Sequence, residues 1–326
     1  MIKASEITKQ FDKRGIAGVH KMSLNLDQGQ VMAIMGPNGS GKSTLLNLLS
    51  GRVQPESGDI SIDGAISSFP INETLENMNV QKFLIRSITL DIDEEKKIQL
   101  SRDLADTFEF TFQLRQNINE LSSGQKQKVL LSKELINRPA LLLMDEPFAH
   151  LDPFTRKDIL SGLFQYIRYQ GITVLWVTHD LEEAFQFSDQ IGLMNFGKFE
   201  QRGTPEELVR TPRNLFVAQF MGYRNFFSIK YENGSWQTPW GPRQMAQLAK
   251  SDGILIVPDH AWELQSQDGL EVNIETRHPA KQTMEYRLKS SEKVIFLTQG
   301  SQLKLLEMGS KIKLSPKWEE CFHIAL

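Results

Sequence analysis

An apolar stretch, Gln30 to Met35, runs into Gly36-Pro37-Asn38-Gly39-Ser40-Gly41-Lys42-Ser43, and from Lys42 to Leu49 the leucines recur at helical spacing. A strand that turns through glycines straight into a helix constrains the whole chain. The helix presents unpaired backbone N–H groups and the positive end of its dipole to whatever lies in the turn. The segment fits G-x-x-x-x-G-K-[ST], in which backbone N–H groups converge on phosphate oxygens, the lysine neutralises the outer phosphates and the hydroxyl ligates Mg²⁺. Lys42 and Ser43 occupy those positions, and Thr44 follows them into the helix. A glycine turn that merely caps a helix is the bland alternative. The strand before it and the helix after it speak against that reading.

Further on, Leu141 to Met144 reads as a buried strand ending in Asp145-Glu146-Pro147, and Ile172 to Thr178 as another ending in His179-Asp180. Between them Ile159, Leu160, Leu163, Phe164 and Ile167 form one apolar stripe on a helix predicted over Arg156 to Gln170 and stopped by Gly171. Strands alternating with helices predict an α/β fold with a mainly parallel sheet. Ligands of such sheets bind outside the carboxyl ends of the strands, where these polar residues fall. Asp145 is placed to hold Mg²⁺ through water, and Glu146 to orient or deprotonate an attacking water. His179 is placed to reach the terminal phosphate. Together these residues predict hydrolysis of a nucleoside triphosphate.

A chain of 326 residues is long enough for two domains, and the texture changes once along it. Thr204-Pro205-Glu206-Glu207 opens one short helix and Thr211-Pro212 a second, which runs out at Gly222. Beyond Gly222 lie Trp236, Trp240, Trp262 and Trp318, and the apolar period falls to two in Leu270–Glu275, Met284–Lys289 and Lys311–Leu314. The expected organisation is a nucleotide-binding domain over 1–222 and a small, barrel-like all-β domain over 223–326. A net charge of −3 gives no overall attraction to nucleic acid. The lone cysteine, Cys321, excludes an internal disulfide framework and suits a reducing compartment. The N-terminus lacks a signal-peptide pattern, and no apolar run approaches the roughly 20 residues that span a bilayer, so any membrane role is expected to be peripheral.

Leu121-Ser122-Ser123-Gly124-Gln125, upstream of the Asp145 strand, resembles the LSGGQ signature of the ABC ATPase family. The resemblance implies ATP and Mg²⁺ as the bound pair, and a helical subdomain over about 72–135. It also implies a homodimer, because in that family the signature of one subunit covers the ATP held by the other. Phe11 sits where the family stacks an aromatic ring on adenine, with a core phenylalanine as the alternative. Phe148-Ala149-His150-Leu151-Asp152 looks like the D-loop, and Val177-Thr178-His179-Asp180 like the switch-histidine segment. Gly203 to Leu208, followed by Phe216 to Gly222, is similar to the end of this domain in binding-protein-dependent importers, which carry an OB-like or TOBE domain after it. That likeness implies two transmembrane permease subunits, a solute-binding protein and a place on the cytoplasmic face of the membrane. An ABC exporter subunit and a soluble ABC ATPase stay open as alternatives.

The sequence departs from the family in three places, one of them the helical insertion between the two main motifs, which is short for the importer type. Where a glutamine usually meets Mg²⁺ and relays motion to the membrane subunit, this chain reads Ser68-Phe69-Pro70-Ile71-Asn72-Glu73, with Pro70 or Ile71 at the glutamine's place. Asn72 or Glu73 is expected to reach the metal instead, with a weakened site as the alternative. Ser123 stands for a glycine of the signature, an addition small enough to accommodate.

Overall fold

The computed structural model describes residues 2–11, 18–70, 77–245, 248, 250–291 and 293–325. It divides into two compact units, Met1–Leu208 and Val209–Leu326.

In the first unit a six-stranded sheet runs in the order Ile66–Phe69, Leu141–Asp145, Thr173–Val177, Val31–Met35, Gln190–Asn195, Lys198–Gly203. All neighbours are parallel except the last pair. The central strands Val31–Met35 and Thr173–Val177 are buried along their whole length, as expected of parallel strands covered on both faces, whose sequences are continuous apolar runs rather than alternations. On one face, Leu45, Leu46, Leu48 and Leu49 of the Lys42–Leu49 helix join Ile34, Leu143 and Leu175 in a single apolar cluster. Each such side chain contributes about 1.5–3 kcal/mol by leaving water. A three-stranded antiparallel sheet, Gly18–Leu26, Ile2–Gln10 and Ser57–Ile62, supplies Ile2, Ile7, Leu24 and Leu26 to the same cluster.

The helix after the Asp145 strand spans Pro153–Gln170 and so begins a turn earlier than its apolar stripe predicts. The physical reason is its cap. Asp152 Oδ1 accepts from the N–H groups of Phe154 at 3.1 Å and Thr155 at 3.0 Å, and Pro153 takes the first helical position, where no N–H is needed. Its buried stripe is the expected one, Ile159, Leu160, Leu163, Phe164 and Ile167. Phe164 stacks on Phe187 at 4.7 Å and packs against Trp176 at 5.1 Å, which fixes the helix over the Thr173–Val177 strand.

The region between Pro70 and Asp145 is helical in its described part, with helices Val80–Arg86, Glu94–Thr107 and Ser123–Leu135. Asn79, Asp93 and Ser122 cap them. Ile71, Asn72 and Glu73 lie outside the described residues. Pro70 is exposed.

The second unit is all-β apart from its first residues and one short turn of helix. One five-stranded antiparallel sheet runs Gly241–Arg243, Ser235–Thr238, Asn225–Glu232, Gly253–Val257, Phe322–Ala325; the other runs Trp262–Leu264, Lys311–Pro316, Leu270–Ala280, Thr283–Lys289, Val294–Gly300. They share one core containing Phe227, Trp236, Leu255, Trp262, Ile274 and Leu288. Asn225 pins the sheets together: its Nδ2 donates to the carbonyls of Val257 at 3.2 Å and Phe296 at 2.8 Å and to Asp259 Oδ1 at 2.8 Å, while its Oδ1 accepts from Phe296 N at 2.7 Å. Cys321 lies in this core, and burial pushes its thiol up to about 12, so it is an inert packing residue.

The units divide at Leu208, ahead of the change in texture at Gly222. The helix Leu215–Phe220, capped by Asn214 rather than by Thr211, explains the offset. Its Ala218 packs with Ile256 and Ile324 of the β-unit, and Tyr223 meets Phe322 edge-on at 5.0 Å.

Candidate functional site

Register brings three strand ends together. Ile34 pairs with Val177, and Val177 pairs with Asp145. The chain therefore leaves the sheet side by side at Gly36, at Glu146 and at Thr178, along one edge. Backbone bonds bind the exits to each other: Glu146 N donates to Val177 O at 3.1 Å, and Thr178 N to Ile34 O at 3.4 Å.

The glycine turn is closely built. Gly36 has φ 141°, and a Cβ there would lie 2.1 Å from Met194 O; Gly41 has φ 101°, and a Cβ there would lie 2.3 Å from Gly18 O. Neither position admits a side chain. Lys42 is buried and folds back so that Nζ donates to the carbonyls of Gly36 at 2.8 Å and Pro37 at 2.9 Å. Burial lowers its pKa, opposed by the carboxylates of Glu146 and Asp145 facing it. A buried cation held by the carbonyls of a glycine turn at the start of a helix suits polyphosphate.

An orphan atom points the same way. Ser40 is only 2% exposed, yet its Oγ has no partner among the described residues. Buried hydroxyls are normally satisfied, so this one fits a group that arrives from outside. Ser43 is exposed at the start of the helix, with its hydroxyl free for a ligand, and Asp145 sits half-buried at the strand end. Among the described residues no cluster of three or more His, Cys, Asp or Glu side chains forms a metal cage. Mg²⁺, which keeps several waters and shares phosphate oxygens, needs no such cage. The Ser43, Asp145 and Lys42 set fits a magnesium nucleotide.

Glu146 holds an unusual backbone. Its φ of 48° is left-handed, a conformation that costs a non-glycine residue roughly 1 kcal/mol or more and that clusters at functional sites. The result is that its Oε1 meets Nε2 of His179, on the neighbouring exit. A carboxylate locked to an imidazole at the mouth of a phosphate cradle is equipped to orient a water and accept its proton.

The signature segment lies elsewhere in the first unit. Ser122 caps the Ser123–Leu135 helix with a reciprocal box: Ser122 Oγ accepts from Gln125 N at 3.3 Å, and Gln125 Oε1 accepts from Ser122 N at 2.9 Å. Leu121 is buried and anchors the loop from below. Ser123 is exposed, so the extra side chain meets no neighbour that would exclude it. Ser122, Ser123, Gly124 and Gln125 line a hollow of about 310 Å³ whose other wall is His150, Leu151, Asp152 and Thr155. No residue of the phosphate loop lines it among the described residues. The structure thus joins Lys42, Asp145, Glu146 and His179 and sets the signature with Asp152 apart from them. Asp152 is spent on its helix: hydrogen bonds from Thr155 and Phe154 hold its carboxyl below the usual range.

Phe11 ends the Ile2–Gln10 strand and is 59% exposed, so it is not a core residue. Its ring is open to solvent, with Lys9 Nζ 5.9 Å from the centroid.

Two residues beside the site, Arg156 and Glu183, belong to none of the motifs. Arg156 Nε donates to Glu183 Oε1 at 2.7 Å and Arg156 reaches Asp180 at 3.4 Å, while Thr178 Oγ1 donates to Glu183 Oε2 at 3.1 Å. Asp180 followed by Glu183 is legible in sequence as a helix start, and Asp180 does cap that helix through Glu183 N at 3.1 Å. Their link to Arg156 depends on packing alone.

The family model for ABC transporter matches residues 19–149. The Spermidine/putrescine import ATP-binding protein PotA of Legionella pneumophila (strain Paris) is 35% identical over 248 residues, covering 71% of this chain and 66% of that protein. The chain therefore spans just under two thirds of that relative's length. The Sulfate/thiosulfate import ATP-binding protein CysA of Synechococcus elongatus is 34% identical over 254 residues, covering 73% of each chain. Among solved structures, cbiO1 from Clostridium perfringens, part of the ABC transporter complex cbiONQ, aligns with TM-score 0.57 at 25% identity over 64% of this chain and 89% of that one. The dimeric bacterial ABC transporter cassette MJ0796 aligns with TM-score 0.54 at 27% identity over 63% of this chain and 99% of that one.

Proposed function

Because this chain belongs to the ATP-binding subunits of ABC transporters, we propose that it works as a homodimer that binds and hydrolyses ATP and so drives solute import through separate permease subunits. The observation that carries this reading is the separation, within one chain, of a phosphate cradle from a signature hollow that contains no cradle residue. Each half becomes a complete site only when a second copy places its signature over the first copy's nucleotide.

In that site the glycine turn and Lys42 grip the phosphates, and the N-terminus of the Lys42–Leu49 helix favours their charge. Mg²⁺, when bound with the nucleotide, neutralises the developing charge between the outer phosphates. Ser43 and Asp145 are the residues that would hold it. Glu146 takes the proton of the attacking water, and His179 fixes the direction of its carboxylate. Phe11, an exposed ring at a strand end, supplies the face on which a base can stack.

Import follows from the likeness to relatives named as import proteins, which differ in their own solutes and so select none for this chain. The described residues contain no helix long and apolar enough to cross a membrane, which agrees with a peripheral subunit on the inner face that relies on two permease chains and a solute-binding protein. The departure at Pro70 leaves an exporter as the second reading. Co-purification with a solute-binding protein decides for import, and its failure with any such protein decides against it.

The experiment is Mg²⁺-dependent ATP turnover of the purified chain beside Glu146→Gln, with light scattering in ATP. The expected result is turnover in the parent and an ATP-bound dimer in the variant, with turnover reduced about 10²–10⁴-fold. A parent that neither turns over nor dimerises would sink the motor reading for this chain.

A further inference from the structure

The first turn of the Pro153–Gln170 helix touches both halves of the machinery. On one side Thr155 lines the signature hollow, and its Cγ2 lies 3.3 Å from where a Cβ on Gly124 would sit, so signature and helix are in contact. On the other side the next residue, Arg156, holds Glu183, and Glu183 in turn receives the hydroxyl of Thr178, the residue before His179. Asp180 N donates to Thr178 Oγ1 at 3.1 Å, closing the loop around the exit that carries the histidine. His179 then meets Glu146. A methyl contact, the step along the chain from Thr155 to Arg156, the Arg156–Glu183–Thr178 bonds and the step from Thr178 to His179 therefore lead from the surface that a partner's nucleotide would cover to the groups that would act on the chain's own.

The contacts are secluded enough to transmit. The side chains of Arg156 and Glu183 are 28% and 16% exposed. They stand at the wall of a cavity of about 230 Å³ floored by Leu160 and Trp176 and reaching Glu146 and His179. Such a cavity leaves room for the network to shift without disturbing close-packed core. Burial raises the Glu183 carboxyl above its usual range, and Arg156 and Thr178 counter it, so removing the guanidinium leaves a carboxylate that must find another partner.

Resting on the ATPase reading above, we propose that Arg156 is a positioning residue: it couples the Asp152–Thr155 turn, where the partner subunit would dock, to the orientation of the His179–Glu146 pair through Glu183 and Thr178. Movement of the turn swings the guanidinium, and Glu183 carries that displacement to the exit at Thr178. A residue serving only to join two helices would leave the direction of His179 unchanged.

The test uses the full chain with Arg156→Gln, Arg156→Lys and Glu183→Gln, reading steady-state ATP kinetics and the imidazole resonance of His179. Arg156→Gln is expected to lower kcat about tenfold or more with KM for ATP held within about twofold, the signature of lost positioning rather than lost binding. It is also expected to displace the His179 resonance. Arg156→Lys should recover a large part of kcat and move the resonance back. The double variant Arg156→Gln/Glu183→Gln should be no slower than either single one, since both cut the same link. Should Arg156→Gln fold poorly, Glu183→Gln alone carries the expectation of reduced kcat at constant KM with a displaced resonance. Full activity, or an unmoved His179 resonance in a folded variant, overturns the proposal. Because the resonance is read without turnover, a chain that hydrolyses no ATP refutes the motor reading while the response of His179 still decides the role of Arg156.

Discussion

Ser40 and Asn225 are both buried polar side chains, one in each unit, and they are treated in opposite ways. Asn225 has its carboxamide oxygen and nitrogen both engaged, within the β-unit itself. Ser40 has a hydroxyl with no partner among the described residues, beside a lysine held only by loop carbonyls. A buried polar group is costly when unpaired, and at the mouth of a phosphate cradle a ligand can offset that cost. The difference separates a hydroxyl placed at the phosphate cradle, where a ligand can complete it, from a carboxamide that its own unit completes.

The largest effect that tests this contrast is expected at Lys42. Lys42→Ala should reduce ATP turnover by about 10²–10³-fold, as loss of a preorganised charge at the reacting phosphates does. The thermal midpoint of the nucleotide-free chain should change little, because Lys42 bonds no distant element. A large loss of stability without nucleotide would show that the cradle is structural after all. Asn225→Ala should do the reverse. It removes the acceptor of Phe296 N and one donor each from Val257 O, Phe296 O and Asp259, of which Phe296 O keeps Trp262 and Asp259 keeps Arg224, and should destabilise the β-unit by about 1–3 kcal/mol in a denaturant titration, with ATP binding unaltered. An equal loss of ATP binding would erase the distinction between the units.

The smallest expected effect is a pH slope confined to the β-unit. His323 packs on Trp236 at 5.1 Å, and burial lowers its pKa below the ordinary 6.5. The unfolded chain then binds more protons than the folded one once pH falls below that value, so stability is complete above about 6.5 and declines as pH drops toward the folded pKa. Unfolding followed by tryptophan fluorescence at neutral and mildly acidic pH, in the parent and in His323→Phe, should show a decline that the variant lacks. An identical decline in both would assign it to other groups.

Legibility follows the range of the interactions. The cradle could be read because its chemistry occupies consecutive residues, Gly36 to Ser43, and the strands ending at Asp145 and His179 because burial on both faces makes them uninterrupted apolar runs. The alternation in Leu270–Glu275 and Met284–Lys289 likewise marked strands with one dry face. Less could be seen of what depends on distant partners. The early start of the Pro153 helix turns on one carboxylate cap, and the place where the units part turns on Ala218 and Tyr223 finding Ile256 and Phe322. The Arg156–Glu183 link spans two helices separated by a whole strand, and no periodicity reports it. The left-handed Glu146 is equally silent in sequence, since glutamate has no preference for that conformation.

The hollow at Ser122, lacking any cradle residue of its own chain, has a consequence in genetic terms. In the proposed dimer, a lesion at Lys42 and a lesion at Ser122 carried by different copies fall into the same composite site. The other site of that mixed pair then holds an intact Lys42 facing an intact Ser122. Two alleles, each null when alone, would thus rescue one another in a cell that expresses both. Two lesions placed in one copy, opposite an unaltered partner, would spoil both sites at once.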